Sequence, residues 1–277
     1  MAEIIKAYYL EHKIIFEENF KIVLDNFDVE AIHKMRTSTK RLRALFLLIE
    51  FLTENHFKAK RQLRKLRQVF KHAGKIREIQ IEALLIKAYE LKLNLTFPEY
   101  LEYLKRREYK EIAAFLKSIP PIRERDRILK DDKIIATIDQ LTNKDLQKGT
   151  ADFLLSKVFA IRDHINAAPS NHRIHENRTY LKQIYYLFGI LSVLSNMPEI
   201  LKTDVIRIRD MEQFLGTWHD LVNSPVYMNA FLQTKNTGKI EKYKKLRNAI
   251  KAERKEMRQV ILNEFYPELL ADIQTAK

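Results

Sequence analysis

Apolar positions recur along the chain at the three-to-four-residue spacing of amphipathic helices almost from end to end. The pattern predicts helices over 2–26, 30–53, 56–94, 97–118, 144–168, 172–196, 198–232 and 238–265. Pro98, Pro120, Pro121, Pro169, Pro198 and Pro225 stand at or near the proposed starts and breaks, where a missing backbone N–H is tolerated. Asp28 and Asn171 are the predicted N-caps of the second and sixth helices. The stretch 119–133, with two prolines followed by dense mixed charge, reads as a linker.

The two halves of this pattern repeat. His33, Arg36 and Lys40 are matched by His175, Arg178 and Lys182, a shift of 142 residues. The same shift carries Leu66 to Ile208, Arg67 to Arg209, Gly74 to Gly216, Glu78 to Asp220, Leu104 to Leu246 and Lys105 to Arg247. A constant offset over some 70 residues is hard to assign to chance, and it is close to half the chain. The expected fold is therefore all-α: two pseudo-symmetric four-helix bundles from an internal duplication. The first half spans 1–143, linker included, and the second 144–277.

Composition narrows this further. Of 277 residues only 5 are Gly, where average usage of about 7% would give roughly 19. Tight hairpins and phosphate-cradling loops rely on glycine for positive φ, so the count argues against a many-stranded, Rossmann or P-loop protein. Cys is absent, which removes disulfides, thiolate metal sites and Cys nucleophiles. Charged residues interrupt the apolar N-terminus, and no run is long and apolar enough for a membrane span. A cytoplasmic protein without membrane association is expected.

Charge changes the picture most. The net charge is +14, but residues 1–30 hold three basic and seven acidic side chains. Residues 31–80 hold fourteen basic and three acidic ones, and 235–258 hold ten and three. On the second predicted helix His33, Arg36, Lys40 and Arg43 share an arc about 80° wide, set apart from Met35, Leu42, Leu45, Phe46 and Ile49. On the third, Arg64, Arg67, Lys71 and Lys75 form a similar row beside an apolar arc of Leu63, Leu66, Val69, Phe70 and Ala73. Cations one helical turn apart suit a linear polyanion, with Arg able to fork two donors onto phosphate oxygens. Nucleic acid and inorganic polyphosphate both fit electrostatically. Most aromatics fall on apolar positions, so the exposed rings that stack bases are not in evidence, which favours phosphates without bases.

The remaining chemistry is sparse. His33 has no His or carboxylate three or four residues on, and its Arg neighbours would repel a metal cation, so phosphate contact or a structural hydrogen bond is the better role. His72 and His219 flank the paired glycines, and Arg77–Glu78 and His219–Asp220 read as helix junctions; Trp218 reads as core. Nucleophile elbows, Walker loops and H-E-x-x-H motifs are missing. No catalytic residue, metal or cofactor is expected, and the chain reads as a binder rather than an enzyme.

The run His33-Lys-Met-Arg36-Thr-Ser-Thr-Lys40-Arg41-Leu42-Arg43, the Gly74-Lys-Ile-Arg77-Glu78 segment and a degenerate second copy together resemble the CHAD family, the conserved histidine α-helical domain. The resemblance covers most of the chain. It implies two four-helix bundles about a pseudo-twofold, a basic surface or pore between them, and binding of inorganic polyphosphate. Position by position it implicates His33, Arg36, Lys40 and Arg43, joined by Arg64, Arg67 and Lys71 on charge and face. In the second copy it implicates His175, Arg178 and Lys182, with Arg209 and Arg247 added. That copy departs from the pattern: Gln183, Ile184 and Tyr185 replace Arg41, Leu42 and Arg43, and residues 173–222 carry no net charge. The alternatives are nucleic-acid binding, or a scaffold or regulator of a separate phosphate-metabolising enzyme such as a CYTH-type triphosphatase.

Overall fold

A computed structural model describes residues 1–119, 128–129, 131–167, 169–191, 205–234 and 240–275. Helices account for nearly all of them, and no strand occurs among the described residues. The order is α1 (Ala2–Asn26), α2 (Val29–Leu52), α3 (Ala59–Gln62), α4 (Arg64–Leu93), α5 (Pro98–Ser118), α6 (Asp131–Asp139), α7 (Asn143–Asn166), α8 (Asn171–Leu191), α9 (Val205–Gln233) and α10 (Ile240–Val260). A π-helical turn, Ile261–Phe265, leads into α11 (Tyr266–Thr275).

The 142-residue offset survives in the helix limits. Moving α5 by that distance gives 240–260, the bounds of α10, and moving α4 gives 206–235 against the observed 205–233. Helix α2 is central and packs on α1, α4, α7 and α8. The apolar arc predicted for it is the core: Met35, Leu42, Leu45, Phe46 and Ile49 are all buried. Burial at this scale, about 25 cal/mol per Å2 of apolar surface, is the main favourable term holding the helices together.

A second core joins the halves at their far ends. Ile79, Ile86 and Leu104 from α4 and α5 meet Leu221, Met228 and Leu246 from α9 and α10. Each of the first three is 142 residues from one of the last three, so matching surfaces of the two halves bury one another. At this junction Ser224 Oγ donates to Glu82 Oε1 at 2.8 Å, another pair 142 residues apart. Tyr100 Oη donates to the same carboxylate oxygen at 2.8 Å.

Several local expectations need correcting. Asp28 does cap α2, accepting from the Ala31 N–H at 2.7 Å. The cap of α8 is Ser170 rather than Asn171, with its hydroxyl accepting from the Arg173 N–H at 3.3 Å. Asn171 instead accepts from Arg258 at 3.3 Å. The stretch 56–94 is not one helix, because α3 ends before Leu63 and α4 starts after it. Pro225 lies inside α9, not at a break. Of the proposed linker, residues 120–127 and 130 lie outside the described part, as do Pro120, Pro121 and Pro198. Its end is ordered structure: Leu129 is buried, and Asp131 opens α6, accepts from Tyr9 Oη at 2.6 Å and pairs with Lys13.

Candidate anion-binding site

The paired glycines position the site, and they do so without a turn. Gly74 lies within α4 and Gly216 within α9, neither with positive φ. A Cβ at Gly74 would come within 2.7 Å of Arg36 Nη1, and one at Gly216 within 2.8 Å of Arg178 Nη2. Each glycine is thus a notch in a helix wall that admits a guanidinium from the neighbouring helix. The expected junctions at these segments are therefore continuous helix.

Inside the first notch Arg36 Nη1 donates to the Phe70 carbonyl at 2.7 Å, and its guanidinium lies 4.1 Å over the Phe70 ring. Ring and carbonyl hold the cation from one side without neutralising it. One turn further along α2, burial pushes the Lys40 ammonium down to about 6, and Lys182, Arg36 and Arg178 add like-charge repulsion. Lys182 is the residue 142 places on, and its charge acts on Lys40 across the junction of the halves. Lys182 is itself lowered, by burial first and then by Arg178.

The corner 142 residues on is built differently. Arg178 Nη2 and Lys182 Nζ both approach Glu212 Oε1, at 3.3 and 2.9 Å. Burial and Arg77 lower His33; burial and Arg178 lower His175. His175 stacks on His219 with ring centroids 4.4 Å apart, and burial with His175 pushes His219 down to about 4. Both repeat histidines therefore sit in a cation-rich surrounding that favours the neutral imidazole while no anion is bound.

Outward from Arg36 and Lys40, α2, the segment from Lys58 and the start of α4 enclose a groove of about 1190 Å3. Ten of its seventeen lining residues are Lys or Arg, and Glu78 is the single acid among them. Arg43, Arg64, Arg67 and Lys71 are exposed, and none of them pairs with a carboxylate among the described residues. Lys75, at one end, does, with Glu111 at 3.3 Å. Glu78 is engaged by Tyr227 Oη at 3.1 Å.

Six of the residues singled out from sequence thus line one groove: Arg36, Lys40, Arg43, Arg64, Arg67 and Lys71. The others do not. His33, His175, Arg178 and Lys182 belong to the junction of the halves, while Arg209 and Arg247 are exposed on α9 and α10 away from the groove lining. Sequence reasoning missed Lys58 and Lys60: a continuous helix through Leu63 puts Lys58 out of phase with the α4 row, whereas Lys60, four residues before Arg64, falls in phase with it. It also missed Phe70 and its counterpart 142 residues on, Glu212. Phe70 looked like core, but it is only partly buried and forms groove wall. The 142-residue alignment already paired them, and that substitution was the available signal.

An all-α fold with helix pairs in matching register and a guanidinium seated on a helix glycine in each half defines the class of protein. The CHAD domain model matches residues 15–225, and the chain belongs to that family. No curated protein matches the sequence. Among solved structures, the chain is similar to the crystal structure of the CHAD domain from the plant Ricinus communis, with TM-score 0.73 and 14% identity. That likeness covers 100% of this chain and 92% of the plant one, and it is a likeness of fold. No helix among the described residues is long and apolar enough to cross a membrane.

Proposed function

We propose that the protein binds inorganic polyphosphate, without catalysis, along the groove between α2 and α4. The observation that carries this reading is the groove lining: ten Lys or Arg side chains, with the exposed Arg43, Arg64, Arg67 and Lys71 left without carboxylate partners among the described residues. Unpaired cations in a concave wall focus the field and hold a chain of phosphates through charge-assisted hydrogen bonds. Membership of the CHAD family supports the same ligand. Cytoplasmic residence and a separate phosphate-metabolising enzyme as partner belong to this proposal.

Nucleic acid is disfavoured by the ring content of the groove. Phe70 is its one Phe, Tyr or Trp side chain, and the Arg36 guanidinium covers it. Bases would find no exposed stacking platform there.

The test is retention of long-chain polyphosphate by the full chain and by the Arg64→Glu/Arg67→Glu variant, with RNA as competitor at equal phosphate concentration. The wild type retains polyphosphate at low salt, the variant loses it, and RNA competes poorly. Undiminished retention by the variant would remove the groove from the account. Displacement by RNA at parity would replace polyphosphate with nucleic acid.

A further inference from the structure

Phe70 and Glu212 are 142 residues apart, each four residues before its helix glycine, Gly74 and Gly216. Around Phe70, Arg36 has an aromatic face and a backbone carbonyl. Around Glu212, Arg178 and Lys182 share a carboxylate that is only 12% exposed. Lys40, the counterpart of Lys182, pairs with no carboxylate among the described residues.

We propose that Glu212 is a built-in anion that closes the second copy of the binding corner, leaving each chain a single polyanion site on the α2–α4 face. The proposal rests on the polyphosphate reading for that first face. A carboxylate oxygen and a phosphate oxygen are the same kind of acceptor for guanidinium and ammonium donors. One tethered beside both donors is present at a high effective concentration, and it repels a second anion that tries to enter. The rest of the second face agrees. The positions of Arg43, Arg64, Lys71 and Lys75 are taken by Tyr185, Ile206, Gln213 and Thr217, so only Arg209, opposite Arg67, keeps its charge among these five.

The closure also serves the open side. Burial lowers both Lys40 and Lys182, Lys182 adds like-charge repulsion to Lys40, and Glu212 offsets part of it. With Lys182 satisfied internally, Arg36 and Lys40 are left for an external anion.

Calorimetric titration with tripolyphosphate at low salt tests this on the full chain. The wild type and Glu212→Asp bind one equivalent, and Glu212→Gln gains a second, weaker one. Phe70→Glu removes no cation but places a carboxylate under Arg36, and it lowers affinity roughly tenfold or more. Thermal melts establish that each variant folds; should Glu212→Gln not fold, Phe70→Glu carries the test alone. One unchanged equivalent in Glu212→Gln, with undiminished binding by Phe70→Glu, overturns the inference and leaves the polyphosphate reading standing. Two equal sites in the wild type also overturn it. Binding gained only by Glu212→Gln overturns the first-face reading and keeps the closure, and no binding by any form overturns both.

Discussion

Lys40 is held where its charge is least welcome, among Arg36, Arg178 and Lys182, with its ammonium pushed down to about 6 by burial and those neighbours. In the free protein at pH 7.5 it is mostly neutral, and the lowered His33, two turns back on α2, is neutral as well. A bound polyanion reverses the preference, because adjacent negative charge stabilises the protonated forms. The sign follows from linkage: the complex holds more protons than the free chain above pH 6, so binding takes up protons and weakens as pH rises. Polyphosphate affinity should fall steadily between pH 6 and 9, with uptake of about one proton per site near neutrality. Titrations in two buffers of different ionisation heat read the uptake, and Lys40→Met should reduce it. A flat pH profile in the wild type would show that Lys40 does not respond to the ligand. None of this was visible in the sequence, where Lys40 is one cation among fourteen in residues 31–80. The perturbation comes first from burial and then from Lys182, and only folding supplies either.

At the scale of elements, the notch in α4 makes a sharper prediction than any charge does. Gly74→Ala should gain about 1 kcal/mol of helix propensity, yet its Cβ displaces the Arg36 guanidinium. Losing the charged hydrogen bond to the Phe70 carbonyl costs about 1.5–3 kcal/mol, so the net is a destabilisation of about 1 kcal/mol. Polyphosphate retention should fall with it, since Arg36 no longer sits on the groove wall. Gly189 lies within α8 with nothing near its absent Cβ, and Gly189→Ala should stabilise the chain without touching retention. Thermal melts and retention assays on both variants check this; unaltered retention in Gly74→Ala would contradict the role given to the notch.

The same elements show what periodicity reveals and what it does not. The limits of α1, α2, α5 and α7 follow from apolar spacing, because each helix buries one face and the period records it; the predicted 238–265 runs through α10 and the π-helical turn after it. The break at Leu63 left no mark, since Ala59 before it, Leu63 itself and Leu66 after it are all buried. Helix α6 was hidden by the mixed charge of its first turn, and α11 by its place after the last predicted helix. The glycines were legible as a pair but not as notches. A notch is defined by what crosses it, and Arg36 arrives from a different helix.

Across the whole molecule, the two halves share a helix register but divide the electrostatic work. The half containing α2 and α4 collects unpaired cations along a groove, while Glu212 satisfies Arg178 and Lys182 in the other. Net charge already pointed to this asymmetry, with fourteen basic residues in 31–80 against a neutral 173–222. It could not say which cations face a common space, because that depends on how α2, the lead into α4 and α4 itself pack. The account stands most directly on the salt dependence of long-chain polyphosphate binding, compared between the wild type and a variant with Arg43, Arg64, Arg67 and Lys71 all changed to Gln. By analogy with single-stranded nucleic acid, each phosphate contact contributes about −0.7 to the slope of log affinity against log salt. The wild-type slope should be about −3 or steeper, and the variant should bind weakly with a slope nearer zero. Equal affinity and equal slope in the two proteins would contradict the account.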